Sequence, residues 1–291
     1  MRVICERHNL DVTQLEFAPP GSHVVFKANP DRYIKLFSPL WYKDSISERL
    51  VLGKLSGQSN LPIPCLIAEG EIENWQYIIM TAVEGLPLYD AWNLMEVSDK
   101  ERIAVSCGEF MASLHSTQIE GLEAISIDWN TFVESQIQSC IAHTDGSDLS
   151  REWTQSVKEL LKYSLFDQNF QPVLLNADIT DEHVLVRKHG ERWELAGFID
   201  FGDAMLGHPY YEFAAPGCTI TRSSPNLQRA MLLAYGYSED QLDSKMAAQL
   251  MAYTLIHRFI TVPDLLKLFD THQPANLEEL TREFWYFLDY N

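Results

Sequence analysis

Two aspartates, each at the end of an apolar run, are the side chains best placed for catalysis. Asp178 follows the run PVLL and Asp200 follows LAGFI, and each run is typical of a short buried strand that ends in a loop. Between them, a polar turn at 188–190 joins two apolar stretches, so the two loops can approach each other. Such a pair suits phosphoryl transfer, in which one carboxylate orients and deprotonates an acceptor hydroxyl and another holds a metal ion against the phosphates.

Each aspartate also has a structural interpretation when it is taken alone. Asp178 could cap a loop or a helix, a role that Thr180 could share, and Asp200 could form a turn before Gly202. The spacing of the two acids and the apolar strand before each of them favour catalysis over these alternatives. For Asp203 two roles are left open: it could support the site, or it could cap a loop.

The sequence around these aspartates resembles the aminoglycoside phosphotransferase and choline kinase-like family, which includes hygromycin phosphotransferase-like members and shares the protein kinase fold. That family carries H-x-D-x-x-x-x-N, then I-D-[FW], then G-D-P-x-x-[DE]-[LF]-A. The corresponding segments here are LLNADITDEHVLV at 174–186, GFIDFGD at 197–203 and GHPYYEFA at 207–214. Two positions differ: Asn176 replaces the leading histidine, and His183 replaces the asparagine.

The resemblance implies an α+β, bilobal protein kinase-like fold with a nucleotide cleft between the lobes. Residues 1–83 would form a small, mostly β, nucleotide-binding lobe with one main helix. Residues 84–291 would form a larger, mainly α-helical lobe that carries the catalytic groups and binds the acceptor. The hinge is expected near Glu84 and Gly85, where a single chain crossing would leave a cleft.

The resemblance also implies a role for each residue of the acidic loops. Asp178 would be the catalytic base and Asp200 a magnesium ligand. His183 stands at the second metal position, although imidazole is a poor ligand for magnesium; it would bind manganese, bind metal through water, or serve only a structural role. Asp181 or Glu182 would otherwise supply the second metal ligand.

In the N-terminal region, the resemblance makes Lys35 the contact to the nucleotide phosphates. A lysine is unexpected within the apolar strand YIKLF unless its ammonium is used, and Glu48 of the following helix is its expected ion-pair partner. The alternative is a capping box in which Ser45 and Glu48 bond to the backbone instead.

Backbone groups are expected to hold the rest of the nucleotide. Gly21, Ser22 and His23, in the loop PPGSH, would contact phosphates through N–H groups, and Thr81 and Val83 would contact adenine. The chain has no G-x-x-x-x-G-K-[ST] motif, which excludes the P-loop route to the same chemistry. Asn176 is expected to hydrogen-bond the backbone, as the histidine at its position would.

Periodicity predicts a strand-rich N-terminal region followed by a helical region. The predicted strands are 14–18, 24–28, 32–37, 61–70 and 75–83, with one helix at 44–56 that Gly57 ends. The prolines of 61–70 indicate an edge strand. The predicted later helices are 98–116, which Ser98 and Glu101 would start with a capping box, and 130–142, 150–165, 226–236, 240–262 and 276–289.

Composition narrows the class of protein. The 291 residues are 46% hydrophobic, and 41 acidic against 22 basic residues give a net charge of −19. A nucleic-acid partner is not expected at that charge, whereas a cationic small substrate fits, as does an acidic surface that only aids solubility. Five scattered cysteines indicate reduced thiols, and no signal peptide or membrane span is seen, so we expect a soluble, cytoplasmic protein.

Three further polar residues stand in the motif region or on helices. Glu212 is a candidate contact to a cationic acceptor, as are the acids near the chain end. His115 and His208 are assigned packing or capping roles, because each lies near a helix end or before a proline.

The hypothesis that follows is transfer of the γ-phosphate of ATP, or GTP, with Mg²⁺ or Mn²⁺, to a hydroxyl of a small cationic molecule. By resemblance, the leading acceptor is an aminoglycoside or amino sugar, which would make the protein an antibiotic-resistance enzyme. Kinases of choline, homoserine or another small alcohol are alternatives, and the oligomeric state is left open. The two motif changes favour a different class, a catalytically inactive nucleotide-binding pseudokinase or scaffold, and a plain solute-binding domain is a third.

Overall fold

The N-terminal part of the chain forms a five-stranded antiparallel sheet in the order β1-β2-β3-β5-β4. The computed structural model describes residues 1–18, 21–56, 61–162, 165–167, 169–269 and 272–285. The strands are β1 Leu15–Phe17, β2 Val24–Ala28, β3 Arg32–Phe37, β4 Leu66–Ile72 and β5 Trp75–Thr81. β3 and β5 are the most apolar strands and lie inside the sheet, whereas β4 is at its edge. The edge position predicted for 61–70 is therefore confirmed.

Helices cover both faces of this sheet. On one face, α2, Tyr42–Leu55, packs Val51, Leu52 and Leu55 into the main core. On the other face, α1, Arg2–His8, buries Ile4 and Cys5 in a smaller second core. Helix α2 agrees with the prediction of 44–56, although Gly57 lies outside the described residues; α1 was not predicted, because seven residues are too short to show clear periodicity.

Close backbone contact joins the two parts of the chain just after β5. The strand β6, Leu86–Pro87, pairs with β8, Val184–His189, which in turn pairs with β9, Arg192–Phe198. A Cβ on Gly85 would lie 2.9 Å from the Val186 carbonyl oxygen, so only glycine lets the chain approach this closely. The crossing segment is thereby attached to β8, the strand that follows the Asp178 loop.

Two short antiparallel pairs carry the acidic loops. β8 and β9 form the predicted hairpin, with its turn at Gly190. β7, Val173–Leu175, pairs with β10, Met205–Gly207, so the loops that follow β7 and β9 lie side by side.

The remainder is helical, and one core extends from α2 and β5 through these helices. The helices are α3 Leu88–Ala91, α4 Val97–His115, α5 Trp129–Asp145, α6 Arg151–Leu160, α7 Pro209–Glu212, α8 Ala214–Thr219, α9 Pro225–Tyr235, α10 Ser244–Leu255, α11 Val262–Leu266 and α12 Leu277–Phe284. Among the described residues, no helix is both long enough and apolar enough to cross a bilayer.

Two helix predictions need correction, and a third is confirmed at its start. Helix α4 begins at Val97 with Glu96 as its N-cap and has no side-chain cap bond, so the capping box of Ser98 and Glu101 is wrong. The predicted helix 240–262 is shorter, because the Asp243 carboxylate accepts the Met246 N–H and starts α10 there. The helix predicted at 276–289 begins as expected, with Asn276 as its cap, and residues 286–291 lie outside the described part.

Candidate active site

Lys35 and two carboxylates meet at the junction of the sheet, α2 and the loop after β9. Lys35 Nζ lies 2.7 Å from Glu48 Oε2 and 2.9 Å from Asp200 Oδ1. The expected pair of Lys35 and Glu48 is thus present, while the Ser45 hydroxyl donates to the Tyr42 carbonyl oxygen. With two of its three protons used, the ammonium keeps one donor for a ligand.

Burial makes this cluster electrostatically tight. Lys35 is 3% and Glu48 1% exposed. Burial alone would lower the pKa of Lys35, but the charges of Glu48 and Asp200 outweigh it and raise the pKa. Burial would raise the pKa of Asp200, but Lys35 and His183 hold it well below its usual range. The lysine and Asp200 are therefore both charged at neutral pH.

His183 lies between the two aspartates singled out in the sequence. Its Nδ1 is 2.9 Å from the Asp178 carbonyl oxygen and 3.2 Å from Asp178 Oδ2, and its Nε2 is 4.0 Å from Asp200 Oδ2. Burial alone would lower the pKa of His183, but the hydrogen bond to Asp178 and the nearby negative charges raise it to about 9. The Asp178 side chain is 20% exposed.

The backbone of both acidic loops adopts a conformation that L-residues rarely take. Ala177 has φ 65° and Asp200 has φ 63°, both in the left-handed region. The Asn176 amide holds the two loops together, since its Nδ2 donates to the Asp200 carbonyl oxygen at 2.7 Å and its Oδ1 accepts the Asp178 N–H at 3.0 Å. The expected structural role of Asn176 is confirmed by these bonds.

Glu212 supports the Asp178 loop from within the protein. Its carboxylate accepts the N–H groups of Asn176 and Ala177, at 2.8 and 2.7 Å, and lies 3.2 Å from His115 Nε2. Glu212 is only 1% exposed, so the suggestion that it meets a cationic acceptor is wrong. His208 caps α7 by accepting the Tyr210 N–H, in line with the capping role predicted for it.

Two pairs at the site were missed by sequence reasoning. Arg258 Nη1 lies 3.1 Å from Asp203 Oδ1 and its Nη2 donates to the Asp203 carbonyl oxygen, so Asp203 is held by an arginine 55 residues away. His23 Nε2 lies 3.3 Å from Asp44 Oδ2. Burial, opposed by Arg258, raises the pKa of Asp203 to about 6. Asp203 lies within a motif and was singled out from the sequence, whereas no local signal links it to Arg258 or links His23 to Asp44.

One carboxylate oxygen of Asp200 is available for a metal ion. Its Oδ1 accepts from Lys35 and from the Gly202 N–H, whereas Oδ2 lies 4.0 Å from His183 Nε2 on a side chain that is 31% exposed. A hard oxygen ligand of this kind fits magnesium. His183 fits less well, because its Nδ1 is engaged by Asp178 and imidazole suits softer cations. Asp181, the proposed substitute, is 8% exposed and paired with Arg222 at 2.8 Å, which turns it away from this role.

The nucleotide-contact candidates lie in the loop between β1 and β2 and at the end of β5. Gly21 and Ser22 are exposed between β1 and β2, in a loop whose Pro19 and Pro20 lie outside the described residues. The Thr81 N–H donates to the Cys65 carbonyl oxygen, and its hydroxyl accepts the Cys65 N–H. Among the residues that the structure describes, neither backbone group of Val83 has a partner.

Comparison with known proteins agrees with this architecture. The family model described as "Phosphotransferase enzyme family" matches residues 22–254, which include Lys35, Asp178 and Asp200. No curated protein matches the chain.

Solved structures with the same fold are distant in sequence. The GDP complex of wild-type aminoglycoside 2'-phosphotransferase-IIIa is 17% identical, with a TM-score of 0.70 over 87% of this chain and 86% of that chain. The streptomycin–ATP ternary complex of APH(2")-IIa is 18% identical, with a TM-score of 0.63 over 86% of each chain. APH(3'')-Id from Streptomyces rimosus is 18% identical, with a TM-score of 0.56 over 87% of this chain and 97% of that chain. These similarities establish the protein kinase-like fold.

Proposed function

The chain belongs to the phosphotransferase enzyme family, and on that premise we propose that it transfers the terminal phosphoryl group of ATP, or of GTP, to a hydroxyl of a small cationic molecule. One observation carries this proposal: the Lys35 ammonium lies within 3 Å of both Glu48 and Asp200. His183, which lies between Asp178 and Asp200, connects Asp178 to this cluster. In this proposal residues 1–83 bind the nucleotide, and residues 84–291 provide the catalytic groups and the acceptor site.

The proposed reaction requires little covalent chemistry from the protein. Asp178 orients the acceptor hydroxyl and takes its proton as the new P–O bond forms and the bond to the leaving diphosphate breaks. Lys35, held by Glu48, binds phosphate oxygens, and Gly21 and Ser22 donate N–H groups to them. Asp200 would hold Mg²⁺, or Mn²⁺, which neutralises charge on the phosphates when it is bound. Val83 and Thr81 flank the adenine.

The charge at the cleft supports a cationic acceptor. Asp44, Asp178, Asp200 and Asp203 are close enough to influence one another's protonation, and the chain as a whole carries −19. Structural neighbours were solved with kanamycin, streptomycin or gentamicin, which are polycationic amino sugars. An aminoglycoside is therefore the first acceptor to test, and modification of an antibiotic in the cytoplasm would be the biological outcome.

The test is phosphoryl transfer from ATP or GTP, with Mg²⁺ or Mn²⁺, across aminoglycosides, choline, homoserine and simple sugars. We expect a product heavier by one phosphate with at least one aminoglycoside. Asp178→Asn should lower kcat by about 10²–10⁴-fold while nucleotide still binds. Asp148→Asn is the matched control and should behave as wild type, because Asp148 is an exposed acid outside the two motifs.

A second candidate is a nucleotide-binding pseudokinase, which the contact of His183 with Asp178 favours. That contact engages Oδ2 of the proposed base and Nδ1 of the proposed second metal position at the same time. If the wild type binds nucleotide but phosphorylates no acceptor, and His183→Asn restores no transfer, this reading replaces the enzymatic one.

A further inference from the structure

A second cleft of about 570 Å³ lies in the helical part of the protein. None of Lys35, Asp178 and Asp200 lines it. It is formed by the segment after α3, the first turn of α4, the loop before α9 and one side of α9 itself. The lining residues that matter here are Trp92, Val97, Lys100, Arg222, Leu227 and Leu233. Its volume is within the range of small-molecule sites.

Lys100 and Arg222 each present unused hydrogen-bond donors at this cleft. Lys100 Nζ lies 4.8 Å from the centroid of the Trp92 ring and has no ion-pair partner in the part of the chain that the structure describes. Arg222 Nη2 donates to Asp181 Oδ2 at 2.8 Å and its Nε donates to the Thr219 carbonyl oxygen at 2.9 Å. Its Nη1 has no partner among those residues, so one edge of an immobilised guanidinium stays free.

Both cations lie against the Trp92 ring. The Arg222 Cζ lies 4.7 Å from the centroid of the same indole ring, so both cations contact one aromatic side chain. The third cation of the lining, Arg229, is already neutralised by Glu239. Two cationic side chains beside one aromatic ring offer charge for a single anionic group and not for an extended polyanion.

The rest of the lining is mixed, since Glu101, Thr221, Ser224 and Asn226 stand beside an apolar wall. Leu227 and Leu233 come from α9, and Val97, which is 76% exposed, stands at the rim. An apolar wall beside two unused cationic donors is complementary to a molecule with an apolar body and one charged head. Isolated exposed apolar side chains are common, but here they share a concave surface with the cations.

We propose that this cleft binds a small amphipathic anion whose phosphate or carboxylate head lies between Lys100 and Arg222 and whose apolar body packs on Trp92 and α9. The site is separate from the nucleotide cleft and does not depend on the proposed phosphotransferase activity. Arg222 also holds Asp181, so the occupant would share its guanidinium with the segment that follows Asp178.

The proposal is tested by calorimetric titration of the full chain with phenyl phosphate and with benzoate. A saturating non-hydrolysable ATP analogue with Mg²⁺ keeps the nucleotide cleft filled during each titration. The two ligands distinguish the two head groups, while benzyl alcohol and benzylamine supply a neutral and a cationic body of similar shape.

We expect one of the two anions to bind and neither benzyl alcohol nor benzylamine to do so. Lys100→Gln should weaken that binding about tenfold or more, because it removes a charged donor. Lys245→Gln removes the same charge from an exposed position on α10 and should bind as wild type. A shift of tryptophan fluorescence on binding should disappear in Trp92→Phe.

Three results would overturn the proposal. The first is that neither anion binds the nucleotide-saturated protein. The second is equal affinity in Lys100→Gln and Lys245→Gln, and the third is equal binding of benzyl alcohol. Circular dichroism of each variant confirms that it is folded, so a loss of binding can be assigned to the side chain.

Discussion

At the scale of single residues, Lys35 depends on two carboxylates that differ in exposure. Glu48 is buried, whereas 31% of the Asp200 side chain is exposed. Removing one partner of a buried ion pair destabilises the fold far more than removing one partner of a surface pair, because the remaining buried charge cannot be hydrated. Glu48 therefore contributes chiefly to holding the ammonium in place, and Asp200 remains free to meet a ligand.

Replacing Glu48 with Gln should cost about 1–3 kcal/mol of unfolding free energy, since a charge-assisted hydrogen bond is lost while Asp200 still faces Lys35. The matched change is Glu69→Gln, which breaks the exposed pair with Arg49 and should cost less than about 1 kcal/mol. Urea unfolding measures both. Equal losses in the two variants would contradict the structural difference between them.

His208 makes stability depend on pH. Burial lowers the pKa of His208 to about 4. Asp167 opposes this shift, and His115 adds a smaller effect in the same direction as burial. In the unfolded chain the pKa of a histidine is near 6.5. The unfolded state therefore binds more protons between these values. The stabilisation is complete above about pH 6.5 and is lost as pH falls toward 4.

His208→Asn keeps a capping acceptor for α7 but removes this titration. The slope of unfolding free energy against pH should fall by up to about 1.4 kcal/mol per pH unit across that window. His189→Asn, at an exposed ring, is the control. The expectation fails if His208→Asn and His189→Asn leave the slope equally unchanged.

At the scale of elements, the contact of α4 with α9 depends on one missing side chain. A Cβ on Gly108 would lie 2.1 Å from the Met231 carbonyl oxygen, so the two helices touch backbone to backbone. Glycine costs helix stability in isolation, and here the cost is offset by the close approach of two long helices that form much of the core.

Opposite effects are expected from Ala at two helical glycines. Gly108→Ala should destabilise the protein by about 1–3 kcal/mol because the helices must separate. Gly53→Ala, in α2, meets only Leu66 Cδ2 at 3.8 Å and should stabilise by about 0.5–1 kcal/mol. Thermal unfolding of both variants measures the difference in sign, and destabilisation of the same size in both would rule the explanation out.

At the scale of the whole molecule, binding of nucleotide and metal should raise the stability of the folded chain. A ligand that binds only the folded state raises its stability, and Asp200 is the residue through which a metal ion would add to that effect. Asparagine tolerates left-handed φ, so Asp200→Asn can keep the backbone at φ 63°.

ATP with Mg²⁺ should therefore raise the melting temperature of the wild type more than ATP alone, by about 2–4 °C for each kcal/mol of added linkage. In Asp200→Asn the increment due to Mg²⁺ should vanish while the shift from ATP alone remains. Asp148→Asn should retain the increment. A full Mg²⁺ increment in Asp200→Asn would place the metal on other residues.

Much of the fold was accessible from the sequence because the signals are local. The strands β2 and β3 and the helix α2 lie within a few residues of their predicted bounds, since each has a long apolar pattern. Short elements such as α1 and β10 were missed, because a few residues show no period. The end of α10 was also misplaced, since periodic apolar residues continue beyond Leu255.

By itself, the sequence determined that Asp178 and Asp200 end apolar strands and that Lys35 interrupts one, because strand patterning and motif spacing are properties of neighbouring residues. Only the tertiary structure decided which distant groups hold them. Glu212, 36 residues from Asn176 in sequence, accepts its N–H, and Arg258 forms an ion pair with Asp203. A chain with 41 acids offers many equivalent partners, and burial and distance, which exist only after folding, choose among them.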